Sequence, residues 1–292
     1  MYELHHLTGS TYYIACRAKV GVVVQDNNEV YLIDSGHSDR AGRKIKEILD
    51  EHNWTLSAIY ITHSHADHIG GLAYLQEATG CKVYAPALEI PFIETPMFTS
   101  ALAYGAYPIK EIRHKAMMVT PCKAEVLSTS VLPPNWSIVD LSGHCYQMVG
   151  YRTPDQVLFM SDAVLSKHTL DTYGVLYLFN VREQLESLER LLTESASIYV
   201  PSHTTPTTDP SDLIRYNQRH IQQVLSVVLD YTKEPILFEH LLQRIISHYQ
   251  IPLYMGDYLL ISNALRAYMG YLREEEKLTF TIHEDCVTWQ QP

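Results

Sequence analysis

Thr62-His63-Ser64-His65-Ala66-Asp67-His68-Ile69-Gly70-Gly71 decides the reading of this chain, because three imidazoles and a carboxylate fall within six residues. The run before it, Ala58-Ile59-Tyr60-Ile61, is β-branched and aromatic and reads as a strand, and the sequence after Gly71 reads as a helix. The cluster therefore sits on a strand-to-helix turn, where successive side chains can converge on one point. Imidazole with carboxylate suits zinc, manganese or iron, and does not suit calcium, which takes oxygen ligands. A structural zinc site would draw on cysteine, and this stretch has none.

The order H-x-H-x-D-H resembles the signature of the metallo-β-lactamase-fold hydrolases, a superfamily that includes glyoxalase II, class B β-lactamases, tRNA-processing nucleases and flavodiiron proteins. The resemblance implies an α/β fold, an αββα sandwich, with further ligands on later strand ends. Three such ends carry a ligand-type residue: Ser142-Gly143-His144, Ser161-Asp162-Ala163 and Pro201-Ser202-His203. Matched residue by residue to the family pattern, His63, His65 and His144 would hold one metal. Asp67, His68 and His203 would hold the other, and Asp162 would bridge the two. Asp34, in Asp34-Ser35-Gly36, matches the position from which the family orients a ligand from behind.

The implied cofactor is a pair of divalent ions, zinc first, with manganese or iron(II) as alternatives. Two such ions roughly 3.5–4 Å apart share a water and lower its pKa from about 16 to near neutrality. Asp67 would accept a hydrogen bond from that nucleophile. The expected substrate is a small ester, thioester or lactone-like molecule. Phosphodiester hydrolysis, including RNA, and a mono-iron oxygenase of the persulfide-dioxygenase type are the alternatives on the same fold, and a sensor without turnover is a third. His65 stands where flavodiiron proteins carry a carboxylate, which argues against oxygen or nitric-oxide reduction. Asp162 fills a position that is cysteine in the commonest class B β-lactamases. Cys145-Tyr146-Gln147-Met148 departs from the Ser/Thr-Pro-Gly that often follows the third histidine, so the turn and pocket wall there stay open. Cys145 itself reads as a small buried residue rather than a nucleophile.

At 292 residues, 46% of them apolar, the chain can bury a large core. Its 22 Lys and Arg against 33 Asp and Glu give a formal charge of −11, which argues against capture of nucleic acid or an anionic membrane. The five cysteines are widely spaced with no C-x-x-C pair, a pattern that fits a reducing cytoplasm. Met1-Tyr2-Glu3-Leu4-His5-His6 lacks a basic n-region and an apolar h-region, so a cytoplasmic protein is expected.

Short β-rich runs at 12–15, 20–24 and 30–33 lead to an amphipathic helix over 38–52, with Ile45, Ile48 and Leu49 at helical spacing. After the His-rich turn, a helix ends at Gly80 and a strand covers 82–85. The segment of about 86–121 then breaks the alternation, with Phe92, Phe98, Tyr104 and Tyr107 among several prolines. It reads as a partly helical lid that supplies an apolar wall, or equally as a subunit contact. Strands return at 136–141, 146–151, 157–160 and 198–200. Asn180-Val181-Arg182-Glu183 reads as a capping box opening a helix, and a long helix follows over 209–230. His37 and His168 lie close to site motifs and are candidates for the pocket.

Residues 1–234 are thus expected to form the catalytic domain, and 235–292 a small appendage of two helices and a hairpin that resembles a winged helix. Residues 231–292 carry five Lys and Arg against eight Asp and Glu, so nucleic-acid reading is disfavoured. Packing on the catalytic domain, walling of the pocket or homodimer formation are its expected roles.

Overall fold

The structure is a computed structural model that describes residues 2–114 and 117–292; Met1, and Lys115 and Ala116 of the expected lid, lie outside the described residues. The first half builds a seven-stranded sheet whose spatial order follows the chain: β1 (Glu3–Thr8), β2 (Thr11–Ala15), β3 (Val20–Val24), β4 (Glu29–Ile33), β5 (Thr55–Tyr60), β6 (Lys82–Ala85) and β7 (Glu125–Val126). β1 to β4 form an antiparallel meander, and β4 to β7 run parallel. Parallel strands need crossovers, and these are supplied by α1 (Asp39–Glu51), α2 (Ala66–Ile69), α3 (Leu72–Thr79), α4 (Ile90–Glu94) and α5 (Met97–Tyr104). Ser38 caps α1 by accepting from the Ala41 amide, and α3 stops at Gly80 in the left-handed conformation.

A second sheet, in the order β11-β10-β9-β8, contains β8 (Ser137–Asp140), β9 (Val149–Arg152), β10 (Val157–Ser161) and β11 (Ile198–Pro201). Its helices are α6 (Lys167–Tyr173), α7 (Val181–Thr193) and α8 (Ser211–Tyr231). Period-two alternation decides the layering. In β10, Val157 and Phe159 face Val23, Ile33 and Tyr60 of the first sheet, whereas Leu158 and Met160 face α7 and α8. In β3 and β4, Val20, Val22, Val30 and Leu32 turn the other way, onto Ile45 and Leu49 of α1 and Leu72 and Leu75 of α3. Helices therefore cover the outer face of each sheet, and the two inner faces meet. This is the αββα sandwich.

Several details differ from the sequence reading. The strand expected at 146–151 begins only at Val149, because Cys145 to Met148 remain in the turn that carries His144. β1 and α6 have no counterpart in the expected elements. Asn180 does accept from the Arg182 and Glu183 amides, but its own amide bonds to the Gly143 carbonyl, 2.9 Å away, so the reciprocal glutamate contact is replaced.

The C-terminal residues form β12 (Ile236–Leu237), α9 (Phe238–Tyr249), α10 (Met255–Glu274), β13 (Thr279–His283) and β14 (Cys286–Gln290), with β14 between β12 and β13. Leu241, Ile245, Leu265 and Tyr268 share one apolar cluster with Leu188 of α7 and Val224 of α8. Asn263 on α10 also donates to the Ala103 carbonyl of α5 at 3.0 Å, which ties the C-terminal helix to the insertion. Among the described residues, no helix is long and apolar enough to cross a membrane.

A shared core predicts shared unfolding. Leu265 is fully buried, so Leu265→Ala should cost about 2–5 kcal/mol and lower the denaturation midpoint of the whole chain. Intrinsic fluorescence and far-UV circular dichroism should report one coincident transition; a separate early transition for the C-terminal helices would contradict the shared core.

Candidate metal centre

Asp34 organises the turn that follows β5. It ends β4 in a left-handed conformation, φ 65°, and is only 2% exposed. Its Oδ1 accepts from the Thr62 amide at 2.8 Å. Its Oδ2 accepts from the Thr62 hydroxyl at 2.9 Å and from His68 Nδ1 at 2.7 Å. A carboxylate can only accept from that ring, so the proton is on Nδ1 and Nε2 is left facing inward. The Thr62 hydroxyl has committed its proton to Asp34, and therefore accepts from His63 Nδ1 at 3.1 Å, which likewise turns His63 Nε2 inward. Ser35 accepts and donates on the same loop: its amide reaches the His68 carbonyl at 2.7 Å and its hydroxyl receives the Gly71 amide at 3.2 Å. That packing needs glycine, since a Cβ on Gly71 would stand 2.3 Å from the Ser35 carbonyl oxygen.

The later residues arrive from the second sheet. Gly143, at φ 127°, lets the turn pass against α7, where a Cβ would meet the Gln184 amide at 2.2 Å, and His144 follows. Asp162 extends from the end of β10. His203 follows β11, and its Nδ1 donates to the Arg17 carbonyl at 2.9 Å, leaving Nε2 for the interior. The seven residues expected as ligands are brought together. Ligand atoms of His63, His65 and His144 lie within 4.8 Å of one another, as do those of His63, His68 and Asp162, and those of Asp67, His68 and His203. Asp162 Oδ2 is 3.2 Å from His203 Nε2 and 3.7 Å from His144 Nε2, so it stands between the two histidine groups. Asp67 Oδ2 is 3.3 Å from His203 Nε2.

These groups fit divalent cations on an observation independent of any pattern. His63 Nε2, His68 Nε2 and Asp162 Oδ1 are buried without a hydrogen-bond partner among the described residues. Unmatched buried groups each cost about 1–3 kcal/mol; here His63 Nε2 has no partner among the described residues, and His68 Nε2 and Asp162 Oδ1 stand 3.3 Å apart without hydrogen-bond geometry, all three facing one volume. The electrostatics agree. Burial pushes the His63 and His65 imidazoles down and His144 to about 3, so these rings are neutral at neutral pH, with His144 Nε2 and His65 Nδ1 sharing a hydrogen bond at 2.9 Å. Burial also opposes charge on His68 and His203, but Asp162 and its neighbouring carboxylates outweigh it, raising His68 well above its ordinary value and His203 to about 9. Burial opposes charge on Asp67 and Asp162 too, yet His68 and His203 hold both carboxyls well below the usual range. Protons on those two imidazoles balance the carboxylates, and a bound cation would take over that balance and release them.

Residues that the sequence reading passed over hold the centre from outside. Glu89, 1% exposed, accepts from the Ser64 amide at 3.0 Å, from the Ser64 hydroxyl and from the Gln147 amide at 2.9 Å, so it clamps the His-rich turn to the turn after His144. Lys19 donates to the Pro201 carbonyl at 3.3 Å, to Ser202 at 3.2 Å and to Thr204, which fixes the loop of His203.

Two cavities, of 420 and 290 Å³, open onto the centre and share Asp67, His144, Asp162, Tyr177 and Leu260 as walls. Asp257, Leu260 and Ile261 of α10 line the larger, so the C-terminal piece does wall the pocket. Of the aromatic residues expected to line it, Phe92 lines the smaller cavity. Phe98, 49% exposed, Tyr104 and Tyr107, 72% exposed, line neither: on α5 the buried positions are Ser100 and Ala103, and the aromatic rings fall off that face. His37 also lines neither; it packs under the His-rich turn against Gly70 and stacks on Tyr2 at 6.4 Å. His168 is exposed on α6 and lines neither.

Loss of the carboxylate behind His68 is a direct test of this arrangement. Asp34→Ala should weaken binding of zinc by about 10–100-fold, read by competition with a chromogenic chelator on the folded protein. Unchanged affinity would remove Asp34 from the centre.

Comparison with known proteins places this geometry. The sequence profile of the metallo-beta-lactamase superfamily matches residues 16–203, a span that includes all seven histidine and aspartate residues. A hydroxyacylglutathione hydrolase of Rhodopseudomonas palustris is 38% identical over 90 residues, 28% of this chain and 35% of that protein. One from Pseudomonas entomophila is 28% identical over 151 residues, 50% of this chain and 47% of that protein, so these curated relatives are matched over less than half their length. A beta-lactamase domain protein from Burkholderia ambifaria superposes with a TM-score of 0.78 over 99% of this chain and 94% of its own, at 17% identity, a likeness of fold. With the profile covering the greater part of its length and every strand end that carries the centre, the chain belongs to the metallo-beta-lactamase superfamily.

Proposed function

We propose that this chain is a metal-dependent hydrolase of small esters, thioesters or lactone-like substrates, with two divalent ions, zinc first, held by His63, His65 and His144 and by Asp67, His68 and His203, and with Asp162 between them. The observation that carries the reading is the set of unmatched buried atoms, His63 Nε2, His68 Nε2 and Asp162 Oδ1, facing one volume beneath two cavities. Divalent ions bound there would supply a water acidic enough to react near neutral pH and an electrophile for the substrate carbonyl.

The remaining chemistry falls to the chain. Asp67 borders both cavities and is partly exposed, and its carboxylate is held as an anion by His68 and His203. In this reading it accepts a hydrogen bond from the attacking water and so orients it. Glu89 and Asp34 act through the residues they hold, keeping Ser64 and His68 in register. The names of the curated relatives, hydroxyacylglutathione hydrolase, support thioester cleavage as a member of this class. A one-iron oxygenase would leave the group of Asp67, His68 and His203 without a use. The five cysteines are all free, in keeping with a reducing cytoplasm.

Elemental analysis of the purified protein should give close to two zinc, or manganese, per chain. Asp67→Asn, at unchanged metal content, should lower kcat on a cleaved ester or thioester by at least about 10²-fold. Near-wild-type turnover in the loaded variant would remove Asp67 from that role.

A further inference from the structure

The two cavities differ from a site built for a charged conjugate. They meet only at Asp67, His144, Asp162, Tyr177 and Leu260, so a substrate whose reacting carbon lies at this junction has one substituent in each. Phe92, Leu102, Ala103, Met117 and Phe179 wall the smaller cavity. Among the described residues neither Lys nor Arg lines it, and Glu89, the charged side chain there besides Asp67 and Asp162, is already matched by Ser64 and Gln147. The larger cavity is walled by Leu165, Leu170, Val175, Leu176 and Ile261. Away from the candidate metal centre, where His203 lines it, its one cation among the described residues is Arg17, which is exposed and faces a cavity that also holds Asp257. His220, 6% exposed, lines it as well; burial holds that imidazole down, so it is a neutral contact, and its Nε2 has no partner among the described residues.

Away from the centre, an anionic group buried in the smaller cavity would therefore meet Glu89 and apolar wall, and in the larger it would find a cation only at the exposed Arg17, beside Asp257, which is unfavourable. From this we infer that the preferred substrate is a neutral acyl compound with an apolar arm on each side of the cleaved bond, one arm in each cavity, and not a conjugate of an anionic peptide thiol such as glutathione. The inference rests on the hydrolase reading of the same centre and specifies its substrate class. Tyr177 and Leu260, common to both cavities, would flank the cleaved bond beside Asp67, His144 and Asp162.

The test separates the two ideas by using binding as well as turnover. N-Butylhexanamide is a neutral, two-armed isostere of such a substrate, and N-methylhexanamide and N-butylacetamide each shorten one arm. Calorimetric titration of the metal-loaded full chain should show each shortened amide binding at least about fivefold more weakly than the parent, since each buried methylene contributes about fourfold. Thr99→Trp, which fills the smaller cavity, should erase the advantage over one shortened amide. Leu176→Trp, which fills the larger, should erase the advantage over the other. S-Hexanoylglutathione should be cleaved at least about tenfold less efficiently, in kcat/KM, than the hexanoyl thioester of N-acetylcysteamine.

Equal affinity for all three amides, or preference for the glutathione thioester, would overturn the inference even if esters are cleaved. The expected amide pattern without cleavage of any ester or thioester would keep the two-armed site and reject the hydrolase. The wild-type comparison stands alone if either tryptophan variant fails to fold.

Discussion

Everything in this fold answers to one constraint: a group of polar side chains must be buried side by side with their lone pairs left unmatched. Left alone, such a cluster would bond itself fully or draw in water, and two contacts within it are made, between His65 and His144 and between His203 and Asp162. Further collapse is opposed because three of the rings are held on their far nitrogens. His63 is fixed through Thr62 and Ser161, His68 through Asp34, and His203 through the Arg17 carbonyl. Those partners follow β4 and β5, end β10 and lie in the loop after β2, so the rigidity of two sheets is transmitted to the position of single atoms. Stability is given up at the centre, and the three apolar layers that surround it supply what is lost.

Most of this arrangement is legible in the amino-acid sequence. The His-rich turn, the strand ends bearing His144, Asp162 and His203, and the Asp34 turn are local patterns, and local patterns survive in sequence. The sandwich follows from alternating strands and amphipathic helices. The features that escape such reading are non-local or unpatterned. β1 is partly exposed along its length and shows no clean alternation. α6 has seven residues, too few for a period to emerge. Glu89 and Lys19 act on backbone groups 25 and up to 185 residues away, and no spacing rule points from one to the other. The aromatic residues of the insertion show the same limit from the other side. Composition announces an apolar surface, but the phase of α5 decides which side chains face the centre, and it selects Ala103 over Phe98 and Tyr104.

The C-terminal piece changes meaning once its contacts are known. Read alone, two helices and a hairpin with an acidic balance invite comparison with a nucleic-acid reader of the wrong charge. In place, its apolar faces close the layer begun by α7 and α8, and α10 brings Leu260 to the junction of both cavities.

The placement of Leu260 and Ile261 also sets an order in time. A chain being synthesised exposes its N-terminal portion first, and all seven histidine and aspartate groups have been made once residue 203 has left the ribosome. The wall that divides and closes the cavities is made more than fifty residues later. The candidate centre and most of its cavity walls are thus laid down before α10 completes them, and a chain truncated between the two would leave both cavities open on that side.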